Sequence, residues 1–206
     1  MARTRGAKNT EYEERRSALL DRLRERLARP DAPYPSYREL ADACEVSQTT
    51  LRHYFGRREH LVTEVLAEWT KRGREVFEHL ATPSGSLSQS VEDLLGFVVV
   101  GQRLPELRQL HRVGIAEGLR SSSLGMACVD FILEPALQAI EVRLARHMEA
   151  SEMRQSDPRA ASIELLAPVL IVFMHQEDLG GRARRPLDID AFVSEHATRF
   201  IAAHAP

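Results

Sequence analysis

Apolar residues recur at helical spacing along nearly the whole chain. In residues 11–28, leucines at positions 19, 20, 23 and 27 form one stripe, while arginines and glutamates fill the other faces. Such a stripe predicts an amphipathic helix that buries one face. The same pattern predicts helices at residues 37–43, 47–55, 57–80, 87–101, 105–119, 122–149, 158–179 and 188–203. No long run alternates with the period of a half-buried strand, so we expect an all-α protein of about nine helices.

Proline, glycine and serine mark the helix ends. Three prolines within residues 29–35 must end the first helix, because a helix interior cannot accommodate three prolines in so short a stretch. Ser36 and Ser47 stand where N-caps are expected, and Gly56 ends the third helix. Pro135 should kink or split the helix over 122–149.

The linker Thr-Pro-Ser-Gly-Ser at 82–86 divides the chain into two regions. We predict an N-terminal domain of three helices over residues 1–56, followed by a connecting helix over 57–80. Residues 81–206 form a larger helical domain in this interpretation.

Composition narrows the functional classes only a little. Of the 206 residues, 43% are hydrophobic and 28% are charged, which is typical of a globular protein, and the net charge is −2. No uninterrupted apolar run approaches the length of about 18–20 residues that a membrane span needs, and the N-terminus lacks the apolar segment of a secretory signal. We therefore expect a cytoplasmic protein with no membrane partner.

The helices predicted at 37–43 and 47–55, joined by a tight turn, match a helix-turn-helix that places its second helix in the DNA major groove. On a helical wheel Leu51 and Phe55 point inward with Tyr54 beside them. The outward residues are Gln48, Thr49, Thr50, Arg52 and His53. No acidic residue occurs between positions 45 and 59, as a surface that approaches phosphates requires. The alternative is a solvated polar face on a small helix.

Five short segments resemble the DNA-binding domain of TetR-type transcriptional regulators. They are Ser-Tyr-Arg-Glu-Leu-Ala at 36–41, Val-Ser at 46–47, Thr-Leu at 50–51, His-Tyr-Phe at 53–55 and Arg-Glu-His-Leu at 58–61. The resemblance covers residues 15–66. It implies an all-α homodimer in which each subunit joins a DNA-reading head to a C-terminal ligand-binding and dimerisation domain.

The resemblance also implies roles for individual head residues. Contacts to phosphates are expected from Ser36, Ser47, His53, Tyr54 and Arg58. Tyr37 and Thr50 are expected among the DNA-binding residues as well. Base readout is expected from Gln48, Thr49 and Arg52, because their side chains suit the edges of adenine, thymine and guanine. The Arg52 side chain is equally suited to bind the phosphate backbone of the DNA.

Three features depart from the family pattern. Glu45 stands where a turn glycine is usual, at a position that often has positive φ. Arg52 replaces a common tyrosine, and Asp31 between prolines replaces a Gly-aromatic pair. These departures alter the turn and the DNA sequence read, but they leave the inward face intact.

The C-terminal region carries no motif, so its sites are predicted from residue type alone. Aromatic or polar side chains on otherwise apolar helices are candidates for an effector pocket: Phe97, Gln102, His111, Glu117, Phe131, Phe173 and His175. The simpler interpretation is that the phenylalanines belong to the core and the polar residues to the surface. The last two predicted helices offer apolar faces for a dimer: Leu166, Val169, Leu170, Phe173, Phe192, His196 and Phe200. Burial within one subunit is the alternative.

Nothing in the sequence indicates an enzyme, a cofactor or a metal. No nucleophile elbow, phosphate-binding loop or zinc-helix motif occurs, and no two of the eight histidines are four residues apart. We predict a repressor that a small-molecule effector releases from a near-palindromic duplex operator. The alternative is a helical small-molecule-binding protein whose head no longer binds DNA.

Overall fold

The computed structural model describes residues 5–29 and 34–206, with side chains described from residue 10 onward in the first range. This part of the chain forms eleven helices and no strand, which confirms the predicted all-α class. The helices are α1 (Arg5–Leu27), α2 (Tyr37–Ala43), α3 (Gln48–Phe55), α4 (Arg58–Arg72), α5 (Arg74–Ala81), α6 (Leu87–Arg103), α7 (Pro105–Gly118), α8 (Ser122–Glu149), α9 (Pro158–Asp178), α10 (Gly181–Arg184) and α11 (Ile189–His204). Pro30, Asp31 and Pro33 lie outside the described residues.

The prediction of one continuous helix over residues 57–80 is wrong. The helix stops at Arg72, Gly73 takes φ −85° and ψ 15°, and α5 begins at Arg74. Glycine is a poor helix former because it loses the most backbone freedom on ordering, so it is a natural place for this interruption. The short helix α10 was also not expected from the sequence.

Pro135 perturbs α8 as the sequence predicts. A π-helical turn over Val129–Leu133 precedes it, and the chain returns to α-helix at Glu134. Proline has no N–H to donate to the carbonyl four residues earlier, which belongs to Phe131. The Thr70 hydroxyl of α4 donates a hydrogen bond to that carbonyl instead. A second π-helical turn, Met174–Asp178, ends α9.

The chain divides into two compact units, which we call the head unit and the body unit. The head unit comprises the chain up to Arg72 together with Gln109–Ile132, and the body unit comprises Gly73–Arg108 and Leu133–Pro206. Most of α7 and the start of α8 therefore belong to the same unit as the first four helices. The domain boundaries proposed from the sequence stay a prediction.

The head unit has a leucine-rich core. Leu23, Leu40, Leu51 and Leu61, from four successive helices, are fully buried. α4 also packs against the Ser122–Cys128 part of α8. These contacts hold α2 and α3 on a framework built from α1, α4 and the start of α8.

The body unit has its own apolar core, to which α5, α6, α8, α9 and α11 contribute. One charged side chain, Arg143, is buried beside this core with 1% of its surface exposed. Its guanidinium donates to the carbonyls of His79, Leu80 and Ser90 at 2.6–2.8 Å. It also contacts Asp93 at 3.2 Å. Arg143 thereby bonds the last carbonyls of α5 and links α5 to α6 and α8.

Two helices, α8 and α9, are long and apolar enough to cross a membrane by length and composition alone. Core helices of soluble proteins satisfy the same criterion. In the body unit both helices supply residues to the buried apolar cluster, among them Ile140 and Leu165.

Candidate nucleic-acid interface

Local hydrogen bonds fix the start of α2. The backbone N–H of Glu39 donates to the Ser36 hydroxyl at 3.3 Å, and the Ser36 N–H donates to the Glu39 carboxylate at 2.8 Å, so the two form a capping box. These bonds from the Ser36 backbone and hydroxyl hold the pKa of Glu39 below its usual value. The predicted N-cap at Ser36 is confirmed.

The predicted cap at Ser47 is confirmed too. Its hydroxyl accepts a hydrogen bond from the Thr50 N–H at 3.0 Å and lies 2.9 Å from the Thr50 hydroxyl. In the preceding turn Glu45 takes φ +55°, so the position that was expected to need positive φ has it. Gly56 ends α3 with φ +67°, a conformation that glycine adopts without steric cost.

The faces of α3 are arranged as the helical wheel predicts. Leu51 and Phe55 are buried against the rest of the head unit. The exposed residues on the other side are Gln48, Thr49, Arg52 and His53. The polar face is therefore available to a partner and is not packed into the interior of the head unit.

Tyr37 supports that face through two contacts. The Arg52 guanidinium lies over the ring of Tyr37, 4.9 Å from its centroid, in a cation–π arrangement. The Tyr37 hydroxyl donates to the Gly56 carbonyl at 2.9 Å, and burial raises the pKa of this phenol. Tyr37 thus ties the start of α2 to the end of α3 and presents its ring to Arg52.

Sequence reasoning missed one residue at this interface, Tyr12 of α1. Its ring stacks on Tyr54 with centroids 4.8 Å apart and meets His53 edge-on at 6.2 Å. Two side chains predicted to contact phosphates are thereby braced by a third aromatic ring. A single tyrosine near the start of the first predicted helix was the only available signal, and it is too common to be diagnostic.

Arg58 and Glu117, which the sequence assigned to different sites, form one ion pair within the head unit. Arg58 was predicted to contact phosphate and Glu117 to line an effector pocket. The guanidinium of Arg58 donates to both carboxylate oxygens of Glu117, at 2.9 and 2.5 Å. The phosphate contact of Arg58 and the pocket role of Glu117 both stay predictions.

The other predicted pocket residues lie in different surroundings. Phe173 is buried in the core of the body unit, and Phe97 packs on the ring of His79 at 4.1 Å. Gln102 is buried and His175 is exposed. His111 and Phe131 are half-buried parts of the head unit.

A cavity of about 130 Å³ lies within the head unit. Its walls are Leu27, Arg29, Tyr34, Pro35, Gln109, Arg112, Val113, Ala116 and Glu117. Among the predicted pocket residues only Glu117 lines it. Arg120 stacks over the ring of Tyr34 nearby, 4.4 Å from its centroid.

The predicted dimer residues divide into two groups. Leu166, Val169, Phe173 and Phe200 are buried in the body-unit core of a single chain, so their side chains are covered without a partner. Their burial is the alternative named above. Leu170, Phe192 and His196 are half-buried, and the His196 ring nitrogen lies 2.9 Å from the Leu165 carbonyl.

Across residues 10–29 and 34–206, no cluster of three or more histidine, cysteine or acidic side chains could hold a metal ion. Both cysteines are buried free thiols. Burial raises the pKa of Cys44 to about 11 and that of Cys128 above its ordinary value. Neither is a ready nucleophile, because the thiolate is the reactive form.

These features define a helical protein with a helix-turn-helix whose polar face is open. Neither the known protein-family profiles nor the curated proteins include a match to this chain. Solved structures do match it. A protein assigned to the TetR family, from Mesorhizobium loti MAFF303099, is 18% identical with a TM-score of 0.77, over 99% of this chain and 100% of that one.

Two further neighbours have related folds. Salmonella enterica GusR is 20% identical with a TM-score of 0.67, over 92% of this chain and 94% of its own. FadR from Bacillus subtilis, solved in complex with stearoyl-CoA, is 14% identical with a TM-score of 0.64, over 90% and 97%. The chain therefore has the fold of the TetR-family transcriptional regulators.

Proposed function

We propose that the protein is a cytoplasmic, homodimeric transcriptional repressor of the TetR type. The observation that carries this proposal is the surface of α3, where Gln48, Thr49 and Arg52 are exposed while Leu51 and Phe55 are buried behind them. The surface offers hydrogen-bonding side chains and no carboxylate, which suits a duplex. The fold shared with transcriptional regulators supports the same conclusion and favours a role without catalysis.

In this proposal one group of head residues reads bases and another contacts phosphates. Gln48, Thr49 and Arg52 read base edges in the major groove. Ser36, Tyr37, Ser47, His53 and Tyr54 contact phosphates and fix the register of the helix. The Thr50 hydroxyl, already close to Ser47, acts mainly in capping.

The homodimer is proposed through α9 and α11. On α9, Ile163, Leu170 and Ile171 share one face by helical spacing, and Ile163 and Ile171 are 43% and 56% exposed. With Phe192 and His196 of α11 they provide an apolar surface that a second copy covers. Two heads held about 34–36 Å apart would read a near-palindromic operator.

We propose that a small-molecule effector relieves repression by favouring the arrangement that does not bind DNA. FadR, a neighbour in fold, binds stearoyl-CoA in its solved complex.

Selection from a random-sequence duplex library with the full-length protein tests the DNA-binding proposal. We expect a near-palindromic duplex to be enriched, and its affinity to fall steeply as salt rises, because each neutralised phosphate contributes a slope of about −0.9. Weak binding to every duplex would indicate a non-specific binder. No binding would favour the ligand-binding protein with an inactive head.

Sedimentation of the Ile171→Glu variant tests the proposed dimer. We expect it to be monomeric, because the new carboxylate would be buried against the partner, while Val100→Glu on α6 serves as an equally exposed control and should stay dimeric. An unchanged dimer in Ile171→Glu would remove α9 from the interface.

A further inference from the structure

We propose that Arg58 is a positioning residue, which with Glu117 holds the helix-turn-helix in place, and that it does not contact DNA phosphate. This inference rests on the proposed function, because it concerns how the head is presented to a duplex. Arg58 is the first residue of α4 and Glu117 lies in the last turn of α7. Both belong to the head unit.

The hydrogen-bonding capacity of Arg58 is directed into the protein. Nη1 and Nη2 each donate to one carboxylate oxygen of Glu117, which is the bidentate geometry that suits a guanidinium. Nε donates to the Pro35 carbonyl at 3.1 Å. The Glu117 side chain is only 3% exposed and that of Arg58 is 25% exposed. The hydrogen bonds to Glu117 raise the pKa of Arg58 above its ordinary value.

Moving Arg58 to a phosphate would cost more than the new contact returns. It would leave the Glu117 carboxylate buried without a counter-charge, and breaking a buried pair in this way is strongly destabilising. A new phosphate contact would have to offset that loss together with the loss of the hydrogen bond to the Pro35 carbonyl. Arg58 therefore stays with Glu117 while the head is folded.

The pair acts on the start of α2. Pro35, whose carbonyl Arg58 bonds, directly precedes the N-cap Ser36, so Arg58 ties this entry point to α4 and α7. Tyr37 makes a second link, from the start of α2 to Gly56, and Arg26 of α1 bonds Glu39 in the first turn of α2. Loss of the pair should loosen the angle at which α2 and α3 meet the duplex.

Four variants of the full-length protein separate positioning from phosphate contact. They are Glu117→Gln, Arg58→Met, the double variant Arg58→Met/Glu117→Met, and Arg57→Met as an exposed neighbouring control. The DNA probe is the duplex selected by the wild-type protein, titrated over a range of salt. Thermal unfolding without DNA is measured in parallel.

Without DNA, Arg58→Met should lower the unfolding midpoint by about 6–20 °C, because it leaves a buried carboxylate without a partner. The double variant should recover most of that loss, since an apolar pair of similar volume replaces the ions. Arg57→Met should leave the midpoint unchanged. If Arg58→Met unfolds no more easily than Arg57→Met, the pair does not hold the head and the inference is wrong.

On DNA, Glu117→Gln should weaken binding about tenfold, a size typical of coupling between two sites, with an unchanged salt slope. The double variant should recover stability but not affinity, because methionine cannot bond the Pro35 carbonyl. Tighter binding by Glu117→Gln with a salt slope steeper by about 0.9 would overturn the inference, because Arg58 would then be a phosphate contact that Glu117 withholds.

A salt slope shallower by about 0.9 in the Arg58→Met/Glu117→Met variant would also overturn the inference. Such a slope would mean that the double variant had lost a phosphate contact. Failure of the wild-type protein to select any duplex would instead contradict the proposed function. The thermal comparison would then still decide whether Arg58 and Glu117 hold the head, since it requires no DNA.

Discussion

The α3 surface of the head unit and Arg143 of the body unit show two opposite uses of polar side chains. In the head, Gln48, Thr49 and Arg52 are exposed on one helix face. In the body, the guanidinium of Arg143 is buried and bonded to backbone carbonyls. A polar group left at the surface remains available to a partner, whereas a buried one is consumed by the fold.

For the same reason the sequence of the head suggests a function more readily than the sequence of the body does. A DNA-reading helix needs a short run of residues with fixed spacing, which one segment of sequence contains. A ligand pocket is assembled from helices far apart in the chain, and no local pattern encodes it.

Replacing Arg143 should lower the stability of the body unit more than any other single substitution proposed for it. Arg143→Met should reduce the free energy of unfolding by about 3–5 kcal/mol, because the last carbonyls of α5 lose their buried donor. Urea unfolding followed by circular dichroism measures it. Arg103→Met is the control, since its ion pair with Asp190 is exposed and contributes at most about 1 kcal/mol. Equal losses in both variants would contradict the structural role of Arg143.

Each unit contains a residue with a strained backbone, and replacing that residue with glycine should change stability by a smaller amount. Glu45 in the head and Ser151 in the body have φ of +55° and +59°. Glu45→Gly and Ser151→Gly should each stabilise the protein by about 1 kcal/mol in urea unfolding, since glycine carries no Cβ penalty there. A loss of stability in Glu45→Gly would show that its ion pair with Arg22 outweighs the strain.

A further prediction concerns the Cys44 thiol, whose pKa burial raises to about 11. Alkylation by iodoacetamide at pH 8 should be about a hundredfold slower than for a peptide thiol, because little thiolate is present. The Cys44 thiol ionises at lower pH in the unfolded chain than in the folded protein. The stability that arises from this difference in pKa is therefore complete below about pH 9 and is lost as the pH rises towards 11. A Cys44→Ala variant should lack this part of the pH dependence. Rapid alkylation of the folded protein would contradict the burial of Cys44.

Much of the fold and of the head could be predicted from sequence because the signals are local. The caps at Ser36 and Ser47 and the inward face of Leu51 and Phe55 depend on residues within one or two helical turns. The break at Gly73 was missed because an isolated glycine in an apolar pattern is often tolerated within a helix.

The pairing of Arg58 with Glu117 could not be predicted, because the two are 59 residues apart and each has a plausible separate role. The stacking of Tyr12 on Tyr54 is hidden in the same way. In both cases packing between distant helices, and not local spacing, decides what the side chain contacts.

The most direct test of the central claim is a titration of the selected duplex with the triple variant Gln48→Ala/Thr49→Ala/Arg52→Ala. All three side chains are exposed, so the fold should survive their loss. We predict that its affinity falls by about three orders of magnitude or more, to that for random duplex, because the base contacts are gone while phosphate contacts remain. Binding as tight and as selective as that of the wild-type protein would show that this face of α3 does not read DNA.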